Sequence, residues 1–351
     1  MLVKNKFLFN FSASHIGGGY KRLFAYSRIF NSRGGAYFII RPNCKKIALL
    51  FNKNKYFYVE KSNFKRLLND SYYLKAILDR IGSLNLYYAY GIPIYSKIAK
   101  VNWFHVSNVL PLSPHGIPIS LFYYLKMQVL GYRIRRNLIN ADVISAESLF
   151  SLGFFGSQYK NNLFLSVNGS DNEIFLFKKK NLQKKNNIAV VVGTYDYKAI
   201  SESFYVFKMI KKSYSPELKL VIIGDSKKIP KVVISDKDVI IKGILSHEST
   251  INYLNKAKYY ISTTYIENSY NAASEGVFLT NESYISDIAP HREFLLNIPF
   301  RKIYIKNISR SILHIRNRDI SNLNMKLWEN VVNEMMGRVE KNLISLGKLK
   351  T

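Results

Sequence analysis

Short apolar runs alternate with longer amphipathic stretches along most of this chain. Runs rich in β-branched and aromatic residues predict buried strands, and the stretches between them predict helices. In the first half the predicted strands are Lys6–Phe11, Ala36–Ile40, Leu84–Tyr90, Trp103–Val109, Asp142–Ser145 and Leu163–Val167. In the second half they are Ile188–Val192, Leu218–Ile223, Val239–Lys242, Tyr259–Thr264 and Ser283–Ser286. This alternation predicts an α/β protein with two doubly wound parallel sheets.

Predicted helices connect most of these strands, and they cover residues 64–81, 119–137, 199–212, 248–257 and 271–278. Two early apolar runs, Ile47–Phe51 and Tyr56–Glu60, predict instead a hairpin that turns at residues 52–55. Near the end, apolar residues at helical spacing between Ile320 and Leu346 predict a long amphipathic helix packed on the body of the protein.

A basic, polar stretch at residues 177–187 is poor in core residues and predicts an interdomain linker. With 351 residues, the chain is long enough that two domains are expected. The predicted division is a first Rossmann-like domain over 1–178, a second over 179–318, and the C-terminal helix over 319–351.

The formal net charge is +29, and 48% of the residues are hydrophobic. That hydrophobic fraction is typical of a folded protein and excludes a disordered one. An AT-rich coding sequence explains part of the lysine excess. The other explanation of the positive charge is a polyanionic partner, which would be a nucleic acid, an anionic membrane or a phosphate-bearing substrate.

The single cysteine, Cys44, excludes an intrachain disulfide framework and a cysteine-rich zinc site. We recognise neither a secretory signal nor an apolar stretch long enough to span a membrane. A cytoplasmic protein is therefore expected, with any membrane contact peripheral.

Three glycines, Gly17, Gly18 and Gly19, lie between the first predicted strand and a helix. Such a loop lets the backbone approach a phosphate or a sugar, and the helix start supplies N–H donors. A tight strand-to-helix turn is the alternative. The loop matches neither the dinucleotide fingerprint nor a Walker P-loop.

Two glutamates follow the strand at Tyr259–Thr264. Glu267 lies in a polar loop, and Glu275 lies on the helix that Asn268 or Ser269 is predicted to cap. Carboxyl ends of parallel strands are where ligands bind in open sheets, and a helix start there attracts a phosphate. His105, near the end of an earlier strand, is either a core residue or a group that lines a cleft.

The chain resembles a GT-B glycosyltransferase of the large retaining group called family 4, over nearly its whole length. Glu267 and Glu275 match the E-x7-E motif of that family in the expected strand–loop–helix setting. The agreement is strongest from residue 188 to residue 293. It extends to further positions, namely Gly193 with Lys198, Gly224-Asp225, Gly243, Asn168-Gly169 and the Gly17–Gly19 loop.

This resemblance implies two Rossmann-like domains that face a central cleft, with a nucleotide-sugar donor bound mainly by the second. By this resemblance, Glu275 would bind the ribose hydroxyls of the donor and Lys198 would bind its diphosphate. Glu267 would be a catalytic residue beside the transferred sugar. The other implied positions are backbone N–H donors at Asn271 and Ala272, the loop residues Gly193 and Thr194, the closing loop Gly17–Gly19, and His105 as a catalytic histidine facing the cleft. Neither a cofactor nor a metal ion is expected, because helix starts, loop amides and Lys198 can stabilise the leaving diphosphate.

Two departures from the family pattern stand out. Many relatives have an arginine directly after the glycine that corresponds to Gly193, and this chain has Thr194 there. Lys227, Lys228 or Arg22 would have to replace the positive charge of that arginine. The usual E-A-M-A sequence around the second glutamate is here Ser274-Glu275-Gly276-Val277.

The resemblance to this family implies that the acceptor is a glycan. Such a glycan is commonly attached to a lipid diphosphate at the inner face of a bacterial membrane. Transfer would then retain the anomeric configuration and serve the assembly of surface polysaccharide or lipopolysaccharide. A basic first domain would suit that anionic surface. Three alternatives remain open: a basic nucleic-acid-binding protein, another nucleotide-dependent Rossmann enzyme, and a GT-B chain that binds without catalysis.

Overall fold

The computed structural model describes residues 6–14, 17–60, 71–171, 174, 186–316 and 325–345. The chain divides into two compact units, each built on one seven-stranded sheet. The first unit comprises residues 1–114, 121–169 and 326–351, and the second comprises residues 115–120 and 170–325. The predicted boundary after residue 178 lies outside the described residues, and so does the start of the predicted C-terminal helix.

The sheet of the first unit is wholly parallel, with strand order β3-β2-β1-β4-β5-β6-β7. Its strands are β1 (Phe7–Asn10), β2 (Tyr37–Ile40), β3 (Lys55–Tyr58), β4 (Leu84–Tyr90), β5 (Ala99–His105), β6 (Val143–Ala146) and β7 (Leu163–Leu165). The helices in this part of the chain are α1 (Gly17–Ser32), α2 (Lys45–Leu50), α3 (Ser71–Ile81), α4 (Leu121–Asn137) and α5 (Leu149–Leu152).

The sheet of the second unit has the order β10-β9-β8-β11-β12-β14-β13 and is parallel except at its last two strands. Its strands are β8 (Asn186–Val192), β9 (Lys219–Ile223), β10 (Val239–Gly243), β11 (Ala257–Ser262), β12 (Glu282–Ser286), β13 (Arg301–Ile305) and β14 (Arg310–Arg316). Its helices are α6 (Ile200–Tyr214), α7 (Lys231–Ile234), α8 (His247–Lys256), α9 (Asn271–Leu279) and α10 (Ala289–Phe294). These two sheets confirm the predicted fold class.

The C-terminal helix α11 (Trp328–Ser345) belongs to the first unit, where Trp328, Val332 and Met335 are buried in its aromatic-rich core. Gly169 makes this packing possible, because a Cβ atom there would lie 2.6 Å from the Cα atom of Trp328. The described part of this helix therefore packs on the core of the first unit.

Two predictions about local structure were wrong, and one pair of strands was missed. Residues 45–50 form helix α2, and β3 pairs in parallel with β2, so no hairpin joins residues 47–60. Helix α9 has Tyr270 at its N-cap position, with no side-chain cap bond, instead of Asn268 or Ser269. The antiparallel pair β13–β14 was not predicted at all.

Candidate functional site

The loops after β8, β9 and β10 are tied together by hydrogen bonds at the carboxyl edge of the second sheet. The Gly193 N–H donates to the Ile223 carbonyl at 2.8 Å, and the Gly224 N–H donates to the Gly243 carbonyl at 2.9 Å. The Thr194 hydroxyl donates to the Asp225 carbonyl at 3.0 Å. Because these bonds join neighbouring strand ends, the loops form one rigid rim.

Gly193 gives Lys198 room to fold back over this rim. Its φ of +90° suits glycine, and the Lys198 Cε atom lies only 3.4 Å from where a Cβ of residue 193 would stand. The Lys198 ammonium forms an ion pair with the Glu267 carboxylate, and both side chains are largely buried. The structure thus brings together a lysine and a glutamate that lie far apart in the sequence.

Backbone contacts fix the loop that carries Glu267. The Tyr265 N–H donates to the Tyr197 carbonyl at 2.8 Å, next to Lys198. From β14, Arg310 donates to the carbonyls of Thr263 and Thr264 at 3.1 and 2.8 Å. The end of β11 is therefore held from both sides, which sets the position of Glu267.

Helix α9 begins next to Glu267 with its N–H groups open. Among the described residues no side chain caps it, so the N–H groups of its first turn, including those of Asn271 and Ala272, point out of the helix without an intrahelical acceptor. The buried Asn271 Nδ2 atom likewise has no hydrogen-bond partner among the described residues. The positive end of the helix dipole adds to this concentration of donors, which suits an anionic group.

Glu275 is buried on the same helix, and its Oε1 atom lies 3.1 Å from the Nε2 atom of His247. His247 opens helix α8, which follows β10. Sequence reasoning missed this histidine, since the contact joins two elements that no local spacing connects. The next residue, Gly276, packs against the Tyr260 ring, whose Cγ would lie 2.3 Å from an added Cβ. Tyr260 thus explains why glycine stands in this part of the motif.

His291 is fully buried beyond β12, and its Nδ1 atom lies 2.8 Å from the Ser286 carbonyl. A carbonyl only accepts hydrogen bonds, so Nδ1 carries the proton and Nε2 is the acceptor of the neutral ring. Burial, aided by the charges of Lys198 and Arg310, lowers the pKa of His291 to about 4. Within the described part of the chain the Nε2 atom has no hydrogen-bond partner.

In the first unit, His105 occupies a buried hydrogen-bond chain at the carboxyl edge of the sheet. The indole N–H of Trp103 donates to the Ser145 hydroxyl at 2.6 Å, and that hydroxyl lies 2.7 Å from the His105 Nδ1 atom. Since an ionised carboxylate only accepts, the His105 Nε2–H donates to Glu147 at 3.4 Å. In the neutral ring Nδ1 is then the acceptor, and the Ser145 hydroxyl donates to it. These contacts fix the tautomer of the ring.

Glu147 joins this chain to a buried arginine. It accepts a hydrogen bond from the Tyr90 hydroxyl at 3.1 Å and lies 3.7 Å from the Arg22 guanidinium. Burial acts to raise the pKa of Glu147, but the His105 bond, the Arg22 charge and the Tyr90 bond outweigh it and lower the pKa. Burial, together with the Arg22 charge, lowers the pKa of His105 to about 4. The pair is therefore neutral histidine and ionised glutamate.

Arg22 is fully buried, so it cannot replace the missing phosphate-binding arginine. Its guanidinium donates to five described groups within 3.2 Å, namely the Asn168 and Tyr26 side chains, the Ser166 hydroxyl, and the carbonyls of Ser166 and Val167. Of the other predicted substitutes, Lys227 is exposed and Lys228 lies 3.7 Å from Asp196 on the rim.

The three glycines were predicted to form a loop, but they make up the first turn of α1, next to the buried chain. We keep the name glycine loop for this turn. Gly17 has a φ of +66° and starts α1, and Gly18 is exposed. A Cβ at Gly19 would lie 2.8 Å from the Ser14 hydroxyl and 3.0 Å from the Tyr90 ring. Glycine is therefore required for this close packing, and the loop contacts Tyr90, which holds Glu147.

Solved structures share this architecture. Sucrose-phosphate synthase from Thermosynechococcus elongatus has a TM-score of 0.62 at 10% identity, over 98% of this chain and all of the other. HepE from Anabaena, in complex with UDP and glucose, has a TM-score of 0.59 at 11% identity, over 96% and 99% of the two chains. WaaG, a glycosyltransferase of lipopolysaccharide biosynthesis, has a TM-score of 0.56 at 12% identity, over 83% of each. The chain has the GT-B fold.

No family model and no curated protein matches the sequence, so structural likeness alone carries the comparison. Within this GT-B fold, the predicted positions Gly193, Thr194, Lys198, Glu267, Asn271, Ala272 and Glu275 all lie at the carboxyl edge of the second sheet. Gly17, Gly18, Gly19 and His105 lie at that edge of the first sheet.

No group of three or more His, Cys, Asp and Glu side chains could hold a metal ion in the described ranges. Nor is any helix in that part of the chain both long enough and apolar enough to cross a bilayer.

Proposed function

We propose that this protein is a glycosyltransferase that moves a sugar from a nucleotide-sugar donor to a glycan acceptor. The observation that carries the proposal is the uncapped start of α9, with the Lys198–Glu267 ion pair and the buried Glu275 carboxylate beside it. A nucleoside diphosphate offers negative charge and ribose hydroxyls, which these groups are suited to bind. The complex of HepE with UDP and glucose supports this choice of ligand.

The proposed reaction uses this site to stabilise the leaving diphosphate. Backbone N–H groups at Asn271 and Ala272 would donate to its oxygens, and Lys198 would neutralise its charge. Because Lys198 is paired with Glu267, the diphosphate would compete for the ammonium and leave Glu267 beside the transferred sugar. A carboxylate accepts several hydrogen bonds, so Glu275 can hold His247 and a ribose hydroxyl together.

The finer parts of the proposal are transfer without a metal ion, retention of anomeric configuration and a lipid-linked acceptor in bacterial surface polysaccharide or lipopolysaccharide assembly. The likeness to WaaG supports this pathway. The protein would then work at the inner face of the plasma membrane. Activity lost in EDTA, or a product whose NMR spectrum shows the inverted linkage, would contradict the first two parts.

In this proposal His105 acts as a positioning residue, because its ring is fully buried and both nitrogens are engaged. His105 bonds to Glu147, which accepts a hydrogen bond from Tyr90, and the Tyr90 ring packs against Gly19 of the glycine loop. Loss of the His105 side chain is therefore expected to raise the KM for the acceptor more than it weakens binding of the donor.

A thermal-shift screen of nucleoside diphosphates and nucleotide sugars tests the proposal. We expect nucleotides with one particular base to stabilise the wild type. At a nucleotide concentration one hundred times its Kd, the free energy of unfolding should rise by about 2.7 kcal/mol. Glu275→Gln and Lys198→Met should lower that affinity at least tenfold. Glu217→Gln is the matched control, since Glu217 is exposed and precedes β9 at the opposite edge of the same sheet.

The proposal is wrong if no nucleotide stabilises the protein at millimolar concentration. Nucleotide binding that depends on Glu275, without transfer to any glycan acceptor offered, would favour a GT-B chain that binds without catalysis.

A further inference from the structure

Helix α4 of the first unit has two apolar faces. Met127, Gly131 and Ile134 are buried on its inner face. Gly131 lies so close to the neighbouring chain that a Cβ there would stand 1.9 Å from the Pro111 carbonyl oxygen. The outer face carries five large apolar side chains that are between 52% and 81% exposed: Leu121, Phe122, Leu125, Val129 and Tyr132. We call these five residues the apolar stripe.

The apolar stripe is continuous along the helix. At about 100° per residue, its five members lie within an arc of about 100°, and the buried residues lie roughly opposite. Isolated apolar residues are common on protein surfaces, but a contiguous set of this kind marks an interaction site. The inner face already supplies the packing that anchors α4, so the apolar stripe is not needed for the fold.

Charge indicates which partner the stripe fits. On the same helix, Arg136 lies on the arc of the stripe, and Arg133 and Lys126 flank it. The sequence contains no aspartate or glutamate between Arg80 and Ala141. A second copy of the chain would therefore place cation against cation across this face, in a protein whose net charge is +29. An anionic bilayer complements both the apolar side chains and the cations.

We propose that α4 lies in the interfacial plane of a bilayer that contains anionic lipids, with the apolar stripe inserted among the acyl chains. Arg133, Arg136 and Lys126 contact the headgroup phosphates. This surface lies in the first unit and uses none of the donor-site residues, so the proposal stands or falls separately from the transferase reaction.

Co-sedimentation of the full chain with lipid vesicles tests the proposal. The vesicles are phosphatidylcholine alone and phosphatidylcholine with phosphatidylglycerol, without any glycolipid or nucleotide. The variant Phe122→Ser/Leu125→Ser removes two members of the stripe, and Arg133→Gln/Arg136→Gln removes two cations. Val232→Ser/Leu296→Ser is the matched control, because these residues of the second unit are 69% and 80% exposed.

We expect the wild type to bind the mixed vesicles more tightly than the neutral ones, and less tightly at high salt. Loss of Phe122 and Leu125 should weaken binding roughly tenfold or more. Loss of the two arginines should weaken binding to mixed vesicles by roughly fivefold per cation. The matched control should bind like the wild type. Unchanged fluorescence of Trp103 and Trp328, both in the first unit, confirms that the two α4 variants are folded.

Absence of wild-type binding to the mixed vesicles overturns the proposal, and so does equal binding by the Phe122→Ser/Leu125→Ser variant. Sedimentation velocity provides the last outcome. A dimer that this variant dissociates, in a protein that ignores vesicles, would assign the apolar stripe to self-association.

Discussion

The buried His105 makes the stability of the first unit depend on pH. Its folded-state pKa is about 4, below the ordinary value of 6.5, because burial and Arg22 disfavour the imidazolium. The unfolded chain therefore binds the extra proton between these two values. Stability conferred by the neutral ring is complete above pH 6.5 and falls as the pH drops towards 4.

The size of this effect follows from the two pKa values. Between pH 7 and pH 5, the linkage relation gives a loss of about 2 kcal/mol from this one group. Glu147 adds nothing comparable in that window. Its pKa is lowered, so its contribution is present above the ordinary value of 4.5 and disappears only as the pH falls below it.

Urea unfolding followed by tryptophan fluorescence measures this loss, since both tryptophans of the chain lie in the first unit. The comparison variant is His105→Gln, whose amide has an N–H₂ group that donates and an oxygen that accepts, as the two nitrogens of the neutral ring do, but which does not titrate. We expect the wild type to lose about 2 kcal/mol more than the variant between pH 7 and pH 5. Between pH 7 and pH 8.5 the two should change equally. Equal losses on acidification would refute the neutral, buried state of His105.

Two further predictions concern the second unit. Gly276→Ala should destabilise it by about 1–3 kcal/mol, measured by circular dichroism in urea, because the new methyl group would meet the Tyr260 ring; an unchanged midpoint would contradict this packing. Thr194→Arg, which restores the family cation, should lower stability without improving nucleotide affinity, because Thr194 is buried against Gly224 and bonded to Asp225. Thr194→Ser keeps the hydroxyl and serves as its control, and tighter nucleotide binding by the arginine variant would contradict the prediction.

Elements buried on both faces were the easiest to predict from the sequence. β4 was predicted with its observed bounds, and all seven of its residues are buried, as a central parallel strand requires. β5 was predicted four residues too late. Lys100 and Asn102 interrupt the apolar pattern at its start, and Val106 and Val109 add apolar residues after the strand has ended. The carboxyl-edge placement of Lys198 and Glu267 followed from the alternation of elements, which also determines the fold class.

Contacts between distant parts of the chain were not predictable. The partners His247–Glu275 and Arg22–Glu147 are separated by 28 and 125 positions, and no periodicity relates them. β13 and β14 were missed because charged residues interrupt their alternation, as in Arg301-Lys302-Ile303. The hairpin error arose because a short apolar helix and a strand have similar composition, and only tertiary pairing of β3 with β2 separates them.

The satisfaction of buried polar atoms distinguishes the hydrogen-bond chain of His105 from the carboxyl edge of the second sheet. In the Trp103–Ser145–His105–Glu147 chain, every donor meets an acceptor, so the chain is suited to rigidity and leaves no position for a ligand. The edge of the second sheet differs, since among the described residues the Asn271 Nδ2 and His291 Nε2 atoms have no partner and α9 has no side-chain cap. Buried polar groups left in this state cost free energy unless something binds them. Five such atoms lie in the described part of the first unit, and one of them, the Ser14 hydroxyl, borders Gly19. The others are Ser27 Oγ, Asn168 Nδ2, Trp328 Nε1 and Arg338 Nε. Beside α9, the Asn271 amide and the uncapped N–H groups are donors that an anion such as the proposed donor diphosphate would satisfy.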